Sequence, residues 1–257
     1  MIFRRSIDEQ SILLRPNGIR PAFPVFLELQ NLPEPPRVFI LQPDHSRLAG
    51  EIAQSLRPEI FGELPPEVLD AIREHDFGWE RSDRSQFAHI AAQPPRPFPQ
   101  MAPAETHPCW RESVRRARVS SPVKGVIVSR HFCALASQDP AHRPFAEEEN
   151  PRRKEIERDL NVPFEDLDRW TAAIGFCDLV SLYLCCGARE AAEFPLAHPS
   201  LPAAHEARKV VLDWNGAQPR FSSPILQEGG TAGVTAWERS GDQPELWPVA
   251  LEWRFLK

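Results

Sequence analysis

Pro163-Phe-Glu-Asp-Leu-Asp-Arg-Trp-Thr-Ala-Ala-Ile-Gly-Phe-Cys-Asp-Leu-Val-Ser-Leu-Tyr-Leu-Cys-Cys186, followed by Gly187, decides the fold. Leu167, Trp170/Thr171, Ile174, Asp178, Leu182 and Cys185 recur at the three- and four-residue intervals of one helix face. Proline stands only at the start, and Gly187 is placed to end the helix. A helix this long and this apolar belongs in a core, so the chain should be organised around helices. Asp178 breaks the stripe, one turn after Ile174 and one turn before Leu182. A carboxylate is almost never buried without a partner, because its desolvation is costly. An Arg or a His would serve as that partner, and so would a metal ion.

Working back towards the N-terminus, residues 122–137 predict a helix with Ile127/Val128, His131 and Leu135 on one face, and 107–119 predict another. Residues 138–151 read as a polar, Pro-containing loop, and Arg152 to Leu160 as a short charged helix. Residues 77–106 read as irregular, since Pro94-Pro-Arg-Pro-Phe-Pro99 fits neither a helix interior nor a central strand. A helix from Pro65-Pro66 through Val68, Leu69 and Ile72 should end at His75-Asp76, before Gly78. Another starts at Gln42-Pro-Asp-His45, where Pro43 and Asp44 suit a first turn, and carries His45, Leu48/Ala49, Ile52 and Leu56 in phase.

Both ends change character. Ser11-Ile-Leu-Leu-Arg15, Arg37-Val-Phe-Ile-Leu41, Lys209-Val-Val-Leu-Asp-Trp214, Gly233-Val-Thr-Ala-Trp237 and Val249-Ala-Leu-Glu-Trp253 read as strands between Gly, Pro and Asn signals. Each end alone offers too few strands for a stable sheet. The expected fold is therefore mainly α, of α+β class, in a single domain over 1–257. It has a helical core at 42–187 and one small β-sheet shared by the flanking segments 1–41 and 207–257.

Composition narrows the function. A net charge of -6 argues against broad nucleic-acid or anionic-membrane affinity. No run approaches the roughly 18 apolar residues of a membrane span, and Met1-Ile-Phe-Arg-Arg5 lacks a secretory stretch. The odd cysteine count (Cys109, Cys133, Cys177, Cys185 and Cys186), without any C-x-x-C pair, points to reduced thiols in a cytoplasm.

Four helices thus carry inward polar groups: His45, His75-Asp76, His131 and Asp178. A lone inward histidine is commonly a satisfied core residue. A set of imidazoles and carboxylates aimed at one interior points to a divalent ion, Mn, Fe or Zn, as one or two ions. Adjacent residues such as His75 and Asp76 point about 100° apart on a helix, so both reach one centre mainly at a helix end, where Asp76 can also bridge two ions. Around them, Trp79, Arg81 and Arg130 are candidate substrate contacts, and Lys124 adds positive charge. Trp79, Phe87 and Phe98 either form an apolar lid or close the core beneath the Pro-rich segment.

The order His45, His75-Asp76 followed by Gly78, then Asp178, resembles the HD-domain superfamily of metal-dependent phosphohydrolases. It also resembles a family of uncharacterised bacterial proteins within or near that superfamily. The pattern there is Gln42-Pro-Asp-His45, His75-Asp-Phe-Gly-Trp79, Ser129-Arg-His131 and Asp178-Leu-Val-Ser-Leu182. The resemblance covers about residues 40–187 and implies an HD-like helical bundle. It implies that His45, His75, Asp76 and Asp178 ligate a first metal, with His131 on a second metal or on substrate. Trp79 stands where many HD enzymes have Lys. The implied function is hydrolysis of a small phosphorylated substrate such as a nucleotide. Asp76 or Asp178 would orient the water, and His131 would serve as a second ligand or proton donor. The alternatives are a di-iron HD-type oxygenase and a non-catalytic ligand-binding or regulatory protein on the same scaffold.

Overall fold

The computed structural model describes residues 1–6, 18–31, 36–90, 93–197, 208–227, 230–239 and 246–256. Strand β1 (Ile2–Arg4) leads to β2 (Arg20–Pro21) and α1 (Ala22–Gln30), then β3 (Val38–Ile40). The helices that follow are α2 (Gln42–Gln54), α3 (Pro58–Phe61), α4 (Pro66–Glu74) and α5 (Glu80–Ala88), with a 3-10 turn at Phe77–Trp79. Next come α6 (Pro103–Ser120), α7 (Pro122–Gln138), α8 (Arg143–Asp159) and α9 (Phe164–Cys185). The chain ends in β4 (Ala192–Pro195), β5 (Lys209–Asn215), β6 (Gln218–Phe221), β7 (Thr231–Arg239) and β8 (Leu246–Arg254). The protein is α+β. No helix among the described residues is long and apolar enough to cross a membrane.

The helical faces read from sequence meet in one core. Leu48 and Ile52 of α2, Val68 and Ile72 of α4, Ile127 and Val128 of α7, and Ile174 and Val180 of α9 are all fully buried. Each contributes about 1.5–3 kcal/mol by leaving water. α2 and α4 cross closely at Gly50, where a Cβ would lie 2.6 Å from the Arg73 Cβ. That close crossing sets the helix bearing His45 against the helix that ends at His75.

The termini do share a sheet, in the order β1-β3-β7-β8. Its register runs Ile2↔Ile40, Val38↔Glu238 and Thr231↔Arg254, antiparallel throughout. The sheet lies on α2, where the Glu51 carboxylate accepts the Gly233 N–H at 2.8 Å. A second sheet was not expected. It has the order β2-β4-β5-β6, and β2 pairs parallel with β4.

Three stretches differ from the sequence expectation. Within 1–41, the segment Ala22–Gln30 is helical: Pro21 and Pro24 fall at its start, where the N–H groups need no intrahelical partner, and Val25, Phe26 and Leu29 form its buried face. The expected strand at 11–15 lies outside the described residues. Within 77–106, α5 forms although Asp83 is its buried residue, so it shows no apolar stripe, and α6 begins earlier, at Pro103. The stretch 138–151 is not a loop. It holds a 3-10 turn and the first half of α8, which runs on through the exposed Pro151 because Phe145, Ala146 and Glu149 are buried beneath it.

Candidate metal centre

The five predicted donors converge. His45 stands in the first turn of α2, His75 is the C-cap of α4, Asp76 follows it, His131 lies within α7 and Asp178 within α9. His45 Nε2 is 2.7 Å from Asp76 Oδ2, and His75 Nε2 is 3.8 Å from the same oxygen. Asp178 bridges the other side, with Oδ1 3.3 Å from His75 Nε2 and Oδ2 3.5 Å from His131 Nε2. The donors fall into two overlapping groups, His45–His75–Asp76 and His75–His131–Asp178, each with its donor atoms within 4.8 Å of one another. Bonds of about 2.1 Å to a common ion place neighbouring donors about 3.0–3.4 Å apart; the 3.3 and 3.5 Å separations around Asp178 lie near that range, and the 2.7 and 3.8 Å separations around Asp76 fall on either side of it.

The local backbone explains how His75 and Asp76 reach one point. The helix ends between them: His75 keeps helical angles, and Asp76 turns to φ -103°, ψ 16°. The 3-10 turn then presses on α6. A Cβ on Gly78 would lie 2.1 Å from the Cys109 carbonyl, and its N–H donates to Ser113 Oγ at 2.9 Å. Asp83, fully buried, anchors the other wall. One oxygen accepts the Met1 amino group at 2.8 Å, and the other accepts the Gln42 N–H at 2.7 Å, at the start of the helix bearing His45.

The His75 Nδ1–H donates to the Ile72 carbonyl at 2.7 Å, and a carbonyl can only accept. In neutral His75 the proton is therefore on Nδ1, and Nε2 presents a lone pair. That buried Nε2 makes no aligned hydrogen bond, although Asp178 Oδ1 is 3.3 Å away. An imidazole lone pair facing two carboxylates demands a positive charge, either a proton on the ring or a cation between the groups. The residues fit a divalent ion.

Without a cation, the ring takes the proton. Burial lowers the His75 pKa, but Asp76 and Asp178 outweigh it and raise it to about 9. Burial raises the Asp76 carboxyl, but His75 and His45 bring it below its ordinary value. The sign for His75 follows from the unfolded value of about 6.5. A raised folded pKa stabilises fully below pH 6.5, and that stabilisation is lost as pH rises towards 9. Chelator-treated protein should therefore melt progressively lower between these values. A rising or flat profile would contradict the arrangement.

The other candidates sit as follows. Trp79 is buried against Phe98, which stacks on Phe26, and Phe87 packs on Phe39 and Trp237; the aromatics close the core. Trp79 keeps a buried Nε1–H with no hydrogen-bond partner. Arg81 is exposed on α5. Arg130 is committed elsewhere: its guanidinium donates to Glu157 and Asp168 at 2.7 Å each and lies over Phe164. Lys124 pairs with Glu74. Burial pushes the Cys133 thiol up to about 11 and Cys177 higher still, so neither is a ready thiolate. What exposure the donor set retains is at the carboxylates, where the Asp76 and Asp178 side chains are 9% and 10% exposed. A surface cleft of about 940 Å³, lined by Arg57, Arg220, Ile225 and Phe255 among others, touches none of the five donors.

Two residues with positions in this architecture carried no separate signal in the sequence. Asp83 sits on a polar helix, and Ser181 is a small residue in an apolar stripe. Ser181 is fully buried, 2.9 Å from His45 Nδ1.

Residues 30–230 match the family described as "Protein of unknown function (DUF3891)". The chain belongs to this family. All five donors fall inside the DUF3891 match, which also takes in part of the second sheet. No curated protein and no solved structure matches the chain.

Proposed function

We propose that this DUF3891 member is a metal-dependent hydrolase of a small phosphorylated substrate, with one or two divalent ions held by His45, His75, Asp76, His131 and Asp178. The observation that carries the reading is His75 Nε2, buried, without an aligned hydrogen bond and turned to two carboxylates. The order of the donors supports it by resembling the HD-domain phosphohydrolases. A bound divalent ion lowers the pKa of its water towards neutrality and polarises a phosphoryl oxygen.

The chain supplies the rest. Water oxygen bonds to phosphorus, the ester P–O bond breaks, and a proton must reach the leaving oxygen. Asp178 would accept the proton from water, and His131, 3.5 Å from Asp178 Oδ2, would serve either as a second ligand or as the donor that returns a proton to the leaving group. With Arg130 and Lys124 already paired, the phosphate charge would be met at the centre itself, and Arg81 is one of the exposed cations nearby in sequence. Near-complete burial restricts the substrate to a small reacting group reaching in past the carboxylates.

The test is elemental analysis of untagged protein, with turnover on a panel of phosphate esters. His75→Ala and Asp76→Ala should each lose most bound metal. They should also lose more activity than the roughly 10–100-fold typical of an outer-shell partner. Wild-type metal stoichiometry in both variants would refute the assignment. The same closure favours a second reading, a di-iron oxygenase whose co-substrate is as small as dioxygen. Iron content with a charge-transfer absorption band would select it.

A further inference from the structure

Ser181 lies one turn beyond Asp178 on α9, and its hydroxyl has two neighbours. It is 2.9 Å from His45 Nδ1 and 2.8 Å from the Asp178 main-chain carbonyl. It carries one proton and can donate to only one of them. His45 has the matching choice, because its other nitrogen, Nε2, is 2.7 Å from Asp76 Oδ2. Two complete patterns satisfy every atom. In one, Ser181 donates to Nδ1, and the ring donates from Nε2 to Asp76. In the other, Ser181 turns its proton to the Asp178 carbonyl and accepts from Nδ1–H, which leaves the Nε2 lone pair free for a cation. His75 has no such choice, since its Nδ1 faces a carbonyl.

We propose that Ser181 is a positioning residue that lets His45 exchange tautomers, storing the ring proton on Nε2 without a cation and on Nδ1 with one. The inference rests on the metal reading of the site. His45 and Ser181 are fully buried, so a ligating His45 whose Nδ1–H had no acceptor would keep an unpaired donor out of reach of water. A hydroxyl that can rotate removes this problem in both states, and neither alanine nor an apolar residue can. The Asp178 carbonyl is the second half of the device, since it takes the hydroxyl proton when the ring no longer can. Ser181 thereby couples the histidine of α2 to the backbone of the helix that supplies Asp178.

The experiment compares wild type, Ser181→Ala and Ser181→Thr by Zn titration and by nitrogen-15 NMR of the histidine rings. Ser181→Ala should weaken Zn binding about 10–100-fold. Ser181→Thr, which keeps the hydroxyl, should recover most of the affinity. In wild type, the neutral His45 ring should carry its proton on Nε2 in chelated protein and on Nδ1 once loaded with Zn. Equal Zn affinity in wild type and Ser181→Ala overturns the proposal and leaves the metal site standing. So does a wild-type ring that keeps one tautomer in both states, a measurement that needs no variant. Wild type that takes up no Zn or Mn overturns the metal reading and this inference together.

Discussion

Adding Zn or Mn to chelated protein should raise its melting temperature by about 5–15 °C, and Asp178→Asn should lose most of that rise. The size follows from mass action. Free metal at about 100–1,000 times its dissociation constant adds about 2.7–4.1 kcal/mol, and each kcal/mol moves the midpoint of a domain of this size by about 2–4 °C. Asp178 is the residue to change because its two oxygens face different histidines, His131 and the His75 that both donor groups share. Asparagine preserves the volume and removes the charge. If Asp178 merely balances a protonated His75, chelator will leave the wild-type midpoint unmoved, and the Asn variant will be equally destabilised with and without metal. Melts of both proteins with chelator and with added metal separate the outcomes.

Gly78→Ala should destabilise by about 3 kcal/mol, the upper end for an overpacked site, and should weaken metal uptake with it. The added methyl would stand 2.1 Å from the Cys109 carbonyl and 2.5 Å from the Ser113 nitrogen, both backbone atoms of α6 that cannot swing aside. Relief requires lifting the 3-10 turn off α6, and that turn begins directly after Asp76. The effect on the metal is what distinguishes this residue from any tight core glycine. A variant that melts lower yet binds Zn with wild-type affinity would show that the turn does not position Asp76.

The sequence made legible what periodicity and charge can signal. His45, His131 and Asp178 stood out because each interrupts an apolar stripe on α2, α7 or α9, and those stripes are the faces that meet. His75-Asp76 stood out because a helix had to end there, before Gly78. Proline masked two elements: Pro24 hid α1 although it falls in a first turn, and Pro151 split α8 although it points outward. α5 was silent because a helix whose buried residue is Asp83 has no hydrophobic period to read. The second sheet was missed for a different reason. Its strand β2 has two residues, and β4 has four, too few for an alternation to emerge. Arg130 looked available beside His131, but neighbours on a helix point about 100° apart, and its side turns to Glu157 and Asp168.

The pairing of β3 with β7 has a consequence for how the chain is made. As the polypeptide leaves the ribosome, β1 and β3 emerge early, and the strand that covers the open edge of β3 emerges near the end. All five donors lie upstream of that strand, on segments that have been translated before β7 appears. The nascent helices can therefore gather the donors, and a cation if one is present, while the β3 edge still waits for its neighbour. An uncovered edge is a template for pairing with other chains. Slow or truncated translation should therefore show itself as aggregation through β3 sooner than as loss of the helical centre.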